Sequence, residues 1–522
     1  MLMRADRLPD HEQDAAAALA EPARAPLWDR ISFAGLMAML VWAPIPLGSN
    51  RPGALGLLAA VLWLLLATQL VGAVLSGRAS LAAQLRRLAV PVLLLGAFAL
   101  LLVAQLAGRS AAPVGELGGL FSTRDAFATQ VYLLTTLAHM AALALVVLCV
   151  DSPRRAQRLL GTVMAGGLLQ AVIAVGLYSG RARYQFMFTE FDQGNRATGT
   201  FPNPDHLAGY MELCLAAGFG LMVAQFGGET ERIRGWQQRL ARSLTFLMSG
   251  KMLLRLMLVV MVVALVMTHS RMGNAAFFIA LFVTGCVVAS RSRKLRTPAL
   301  WLVVSMAVVD VVVIGQWVGL DRVVERLQGT ADSSQLTTAA LALPELAAGN
   351  QREESIQQRL TVPTLSLQLV RERPWFGHGG GSYYAGFPAI KPVGFPHLWD
   401  HAHNDYVEVA ADTGLVGLGL LLALAAGSLW RALHLLRDSQ PRLNRGLGTA
   451  TLMALLCMGL HSVVDFNMQI PSNAMTLVVL MALVWAVPTA APNAADEDAD
   501  ARPGLRSRKH PSRDDASTAV HP

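Results

Sequence analysis

Residues 400–425 read DHAHNDYVEVAADTGLVGLGLLLALA, so that His401, His403, Asn404, Asp405, Glu408 and Asp412 run directly into an apolar stretch. Ionisable side chains are expensive in hydrocarbon and are kept there mainly for function. The boundary is therefore a candidate site, and the apolar run after it is a membrane helix. His403 is the leading candidate within it.

The rest of the chain has the same character. Of 522 residues, 54% are hydrophobic and only 15% charged, which excludes an ordinary soluble protein. Apolar runs of about 17 to 25 residues suffice to cross a bilayer as helices. Twelve are expected, at 31–48, 53–75, 88–107, 128–150, 159–178, 207–226, 253–268, 274–290, 298–317, 406–430, 446–464 and 474–488. The fold class is an all-α membrane protein of about twelve transmembrane helices, with a large, partly helical outward-facing loop between the ninth and tenth. Residues 1–30 form a cytoplasmic N-terminal segment, 31–317 spans one to nine, 318–405 the loop, 406–488 spans ten to twelve, and 489–522 a disordered cytoplasmic tail.

Basic residues set the orientation. With the N-terminus inside, the inward segments hold 29 of the 43 lysines and arginines, and the outward ones 14, of which 7 lie in the long loop. Long loops cross largely regardless of charge, so the short loops decide and both termini are cytoplasmic. The same distribution explains the net charge of +8, which sits in inward loops such as RGWQQRLAR and SRSRKLR, so no nucleic-acid partner is expected. No cleaved signal peptide precedes the first span. Cys149, Cys214, Cys286 and Cys457 are scattered through apolar runs and read as packing residues.

Two short outward loops carry arginine against that bias. GNRATGTFPNPDHLAGYMEL, 194–213, holds Arg196, Asn203, Asp205 and His206, and THSRMGN, 268–274, holds His269 and Arg271. The alternative for each is an arginine that snorkels to lipid phosphates. Within the long loop, Gln357 to Arg373 is read as an amphipathic helix on the membrane face, from Leu360, Leu365, Leu367 and Leu369. PWFGHGGGSYYAGF follows, as a tight turn on that surface rather than a phosphate loop, since it lacks a Gly-Lys-Ser/Thr ending. His461 and Asp465 are four apart and expected to share a helix face as an orienting pair. Asp310 is expected to pair inside the bundle. Gly414 and Gly417 are expected to permit close helix approach.

A histidine takes a proton from a hydroxyl near neutral pH, and arginines bind phosphate or pyrophosphate through a planar fork. One base and two arginines suit sugar transfer from a lipid pyrophosphate to an alcohol. His401 and His403 have the spacing of a metal pair, but no further ligand set accompanies them, so neither metal nor cofactor is expected.

These residues resemble the bacterial O-antigen ligase and O-antigen polymerase superfamily of integral membrane glycosyltransferases. That family carries His-(Asn/Ser/Gln), nine residues, then Gly-x-x-Gly at the end of a large periplasmic loop; here His403 and Asn404 precede Gly414 and Gly417 at that spacing. NRATGTFPNPDHLAGY, HSRMGN and RPWFGHGGGSY extend the likeness, with Asp205 where many relatives have asparagine and Asp412 where glutamate is common. The resemblance implies an inverting, metal-independent transferase in the bacterial inner membrane that acts in polysaccharide or lipopolysaccharide assembly. It implies an undecaprenyl-pyrophosphate-linked glycan donor and a glycolipid, glycan or protein acceptor. His403 would be catalytic; Arg196, Arg271, Asn203, His401 and Asn404 would bind substrate, and His461 and Asp465 would orient. Ligase, repeat-unit polymerase and protein O-oligosaccharyltransferase share these parts. A secondary transporter is the competing class, but transporters place their sites at the midplane, often between internal repeats, whereas these motifs lie at outward ends and no repeat is evident.

Reporter fusions should place Gly349 outside and Gly235 and Asp496 inside. A cytoplasmic signal at Gly349 would invert the scheme.

Overall fold

A computed structural model of the chain describes residues 25–108, 119–182, 184–186, 189–190, 196–225, 250–293, 296, 304, 356–393, 395 and 399–488. Thirteen α-helices are described: α1 Leu27–Trp42, α2 Pro52–Leu75, α3 Leu81–Ala107, α4 Ala126–Cys149, α5 Pro153–Gly180, α6 Pro204–Ala224, α7 Gly250–Met267, α8 Arg271–Arg291, α9 Ile356–Glu372, α10 Tyr383–Ile390, α11 Asp405–Leu435, α12 Arg442–His461 and α13 Pro471–Ala486. A two-residue antiparallel pair, Gln185–Phe186 with Thr189–Glu190, is the one exception to helix among the described elements.

Eight helices, α2 to α6, α8, α11 and α12, are long and apolar enough to cross a membrane. Three more of the twelve expected spans are present as shorter helices, α1, α7 and α13. The ninth span, with Asp310, and most of the first half of the long loop fall outside the described residues, as do residues 1–24 and the tail from 489. α1 stops at Trp42, short of the expected 48, because Pro44 and Pro46 lack the N–H a helix needs; a left-handed turn at Leu47, Gly48 and Ser49 then leads to Pro52 at the start of α2.

The centre of the bundle is α6, α12 and α13. Every residue of α13 is buried, as is nearly all of α6, which is why neither shows an amphipathic stripe. Gly220 of α6 and Gly446 of α12 face each other, and a Cβ on either would strike the other's carbonyl. Small residues at this crossing let the backbones approach closely, and that contact supplies dispersion where lipid offers no hydrophobic drive. Cys149, Cys214 and Cys457 pack inside, whereas Cys286 is exposed on the outside of the bundle, contrary to its reading as a packing residue.

α11 is two helices end to end. Gly414, at φ 68 and ψ −178, breaks it, and its role is this break rather than the close helix approach expected of it. The break strips backbone groups of their intrahelical partners, and the 374–381 loop replaces them. Leu415 and Val416 donate N–H to the Pro374 and Trp375 carbonyls, while Ala411 and Asp412 carbonyls accept from His378 and Gly379. Gln105 bonds the carbonyls of Phe376 and Asp412 and the Gly380 N–H. The glycines at 377, 379 and 381 have positive φ, as this path requires. The glycine-rich segment thus straps the half-helix 405–413 to the bundle instead of packing on the membrane surface. The helix expected over 357–373 is present as α9, but Val362, Ser366 and Leu369 turn inward to a small core with Tyr383, Phe387 and Trp399, so its most buried face meets protein rather than lipid.

Overpacking a close crossing costs about 1–3 kcal/mol. Gly220→Leu should therefore lower the thermal midpoint of the purified protein, while Gly56→Leu, where a Cβ meets nothing within 4 Å, should leave it unchanged. Equal midpoints would remove the argument for the α6–α12 contact.

Candidate functional site

The half-helix 405–413 begins at Asn404, whose side chain accepts the Val407 N–H at 3.0 Å and caps the helix. The same residue's Nδ2 donates to the Val463 carbonyl at 2.8 Å. Next to it, Asp405 N–H donates to the Ser462 carbonyl, and its Oδ2 accepts from Ser462 Oγ at 2.7 Å and Met468 N–H at 3.1 Å. Tyr406 Oη reaches the Gly459 carbonyl at 2.7 Å. Five hydrogen bonds thus fasten residues 404–406 to the end of α12 and the turn after it.

His403 stands immediately before that cap, in the left-handed region at φ 49. A non-glycine residue there is uncommon and points to a constrained, functional position. Its ring is buried, edge-on to Trp399 and to Phe466, and Nδ1 lies 3.8 Å from Asp465 Oδ1. Asp465 is fully buried and held in place by the Phe466 N–H at 2.9 Å and Asn467 Nδ2 at 3.2 Å. His461 Nε2 lies 3.6 Å from Asp465 Oδ2. The expected pair is there, though not on one helix face: α12 ends at His461, and the following turn carries Asp465 back to it.

His401 is placed differently. Its ring stacks on Phe466 at 4.0 Å, and Nδ1 is 2.7 Å from Glu408 Oε1, while Glu408 Oε2 accepts the Ala402 N–H. Burial pulls the imidazolium down, but the Glu408 carboxylate outweighs it and raises the pKa to about 9. His401 is thus a cation at neutral pH. By contrast His378, held between Arg124 Nε and the Leu369 carbonyl, is driven by burial to about 4 and stays neutral.

Arg196 donates from Nε to the Thr268 carbonyl at 2.8 Å and from Nη2 to Asp205 Oδ1 at 2.6 Å. Asn203 caps α6 through the Asp205 N–H at 2.8 Å. Ser270 caps α8, so Arg271 is the first residue of that helix, four residues after Met267, whose carbonyl accepts the Ala197 N–H. Asn473 Nδ2 donates to the His206 carbonyl, and the His206 ring lies edge-on to Phe466, which ties the start of α6 to the same corner. The structure therefore gathers His401, His403, His461, Asp465 and the start of α6 around Phe466, and gives Asn203 and Asn404 capping bonds.

Sequence reasoning overlooked three contributors. Glu212, inside α6, bonds His461 Nδ1 at 2.8 Å; as an ionisable residue within an apolar span it carried the signal used for Asp310. Glu408 was part of the opening cluster but had no role assigned. Phe466 offered no signal, since a single aromatic after a helix is commonplace.

The His401–Glu408 pair makes a testable contribution to stability. A folded pKa raised from 6.5 to about 9 stabilises fully below the unfolded value, and that stability is lost as pH rises through about 9. His401→Gln should thus lower the thermal midpoint below pH 6.5 and match the parent protein above pH 9 or so. A gap independent of pH would exclude the charged pair.

Comparison with known proteins bears on the same residues. No curated protein matches the chain. A family model described as O-Antigen ligase matches residues 256–422, from within α7 through the outer part of α11, a span that includes Arg271, His401, His403 and the break at Gly414. The matched segment is thus similar to the O-antigen ligase family, and the membrane-length apolar helices around it are in keeping with that likeness.

Proposed function

We propose that this protein transfers a glycan from undecaprenyl pyrophosphate to an acceptor hydroxyl at the periplasmic face of the bacterial inner membrane, in the manner of an O-antigen ligase. The observation that carries the reading is a buried imidazole, His403, facing the buried carboxylate of Asp465 at 3.8 Å, at the end of the bundle that also holds Arg196 and Arg271. The family description supports the ligase-type acceptor, a glycolipid such as core lipid A.

A carboxylate on the Nδ1 side favours the tautomer with its proton on Nδ1, which leaves Nε2 as the base. Nε2 takes the proton of the acceptor hydroxyl as its oxygen bonds to the anomeric carbon, and the bond from that carbon to the pyrophosphate oxygen breaks. A single displacement from the opposite face inverts the centre. The pyrophosphate gains negative charge as it leaves, and guanidinium groups placed beforehand stabilise that charge at no cost in reorganisation. Asp205 and the Thr268 carbonyl fix the plane of the Arg196 fork, and the N-terminus of α8 adds its positive end beside Arg271. His401, already protonated, is a further fixed cation in this corner and does not compete as base. The protein's own side chains supply every proton and charge in this scheme, without a metal or cofactor.

His403→Ala should cut glycan transfer by at least about 100-fold in proteoliposomes while insertion and folding persist. Arg196→Lys and Arg271→Lys should also lose turnover, because a point charge does not reproduce a bidentate fork. A His403→Ala protein with near-parental transfer from a polyprenyl-pyrophosphate-linked oligosaccharide to core lipid A would end this proposal.

A further inference from the structure

Beyond Asp465, the polar chain continues into the membrane. Glu212 Oε1 is 2.8 Å from His461 Nδ1, His461 Nε2 is 3.6 Å from Asp465 Oδ2, and Asp465 Oδ1 is 3.8 Å from His403 Nδ1. Carboxylate and imidazole alternate over four residues, each no more than 6% exposed. We propose that Glu212 is a positioning residue for the transfer: it holds His461 as an imidazolium against Asp465, and so sets how strongly Asp465 draws a proton onto His403. The inference rests on His403 being the base.

Burying Glu212 is costly, and the fold does not require it. Its Oε2 is buried and has no hydrogen-bond partner among the described residues, although a carboxylate in such surroundings normally fills both oxygens. α6 and α12 are already held together by the Gly220–Gly446 contact. An apolar residue of similar size would generally cost less than such a pair. What Glu212 adds is control of charge. With Glu212 ionised, the imidazolium between the two carboxylates neutralises part of Asp465 as His403 feels it. Without Glu212, a buried His461 sheds its proton, and Asp465 then turns its full charge on His403.

Other titratable groups share this corner. Asp205 and His206 come from α6, His401, Asp405 and Glu408 from the segment 400–413, and Arg271 heads α8 at the same end. Cys457 lies one turn below His461 on α12, and the start of α13 contributes Ser472 and Asn473, which do not titrate. Glu212 alone of these bonds directly to His461 in the described contacts.

His403 must be neutral to act, so activity falls as pH drops through its pKa. Glu212→Gln keeps a hydrogen-bond acceptor but removes the charge, which strengthens the pull of Asp465 on the protonated form of His403. The acid limb of kcat should therefore move to higher pH by about half a unit or more, with KM little changed. His461→Gln reaches the same state from the other side and should shift the limb the same way. Glu212→Asp retains the charge and should keep the limb close to the parental position. The measurement is transfer from a polyprenyl-pyrophosphate-linked oligosaccharide to core lipid A across pH, on variants first shown to be folded by their thermal midpoints. An unmoved acid limb in both glutamine variants, with turnover merely reduced, would overturn the proposal and leave His403 as base. Retained turnover in His403→Ala would instead remove the base itself, so the two failures are distinguishable.

Discussion

The structure depends on the docking of the outer half-helix 405–413 against the end of α12. Asn404, Asp405 and Tyr406 hydrogen-bond Val463, Ser462, Met468 and Gly459, which joins a loop that arrives from outside to a turn that emerges from the core. Without this join, His403 and Asp465 lie 62 residues apart in sequence, with nothing to bring them to 3.8 Å. Backbone accounting makes the join possible. The break at Gly414 frees the half-helix to tilt away from the membrane segment below it, and the 374–381 strap repays each bond lost there.

The rigid partner in that docking is the small-residue crossing of α6 and α12. Close approach at Gly220 and Gly446 fixes the relative depth of the two helices, and therefore brings Glu212 on one level with His461 on the other. An error of one helical turn at that crossing would shift a side chain by about 5.4 Å and separate the pair. Packing deep in the bundle thus governs electrostatics at its surface. Asn473 extends the same control to α13, its Nδ2 donating to Asn467 Oδ1 and to the His206 carbonyl.

Much of this was legible in the sequence, and for specific reasons. Long apolar runs need only length and composition, so eight helices of membrane length stand where expected and α7 and α13 are as short as their runs, while the early end of α1 at Trp42 was not read from its apolar run. The break in α11 was not legible, because Gly-x-x-Gly in an apolar run reads equally well as a close-packing face; only the positive φ at Gly414 separates the two. α9 showed its periodicity, but periodicity does not say whether the apolar face meets lipid or the aromatic core of Tyr383, Phe387 and Trp399. His403, Arg196, Arg271, His461 and Asp465 stood out because charge near a membrane boundary is costly. Glu212 is equally costly, but its partner His461 lies 249 residues away, and no local spacing pairs the two.

Two histidines with one residue between them meet different carboxylates, and the surrounding chain explains how. His401 has a carboxylate at 2.7 Å on the first turn of the half-helix, close enough to keep its proton at neutral pH. His403, in the left-handed region and edge-on to Phe466 where His401 stacks on it, faces a carboxylate at 3.8 Å that also faces His461. The short contact to Glu408 keeps His401 charged at neutral pH, whereas the carboxylate nearest His403 is farther away and also faces His461. The difference arises from the position of Glu408 one turn into α11 and Asp465 beyond α12, and hence from the same docking that assembles the site. In the proposed transfer, His403 as base beside the charged His401 would deprotonate an alcohol while negative charge gathers on a departing pyrophosphate.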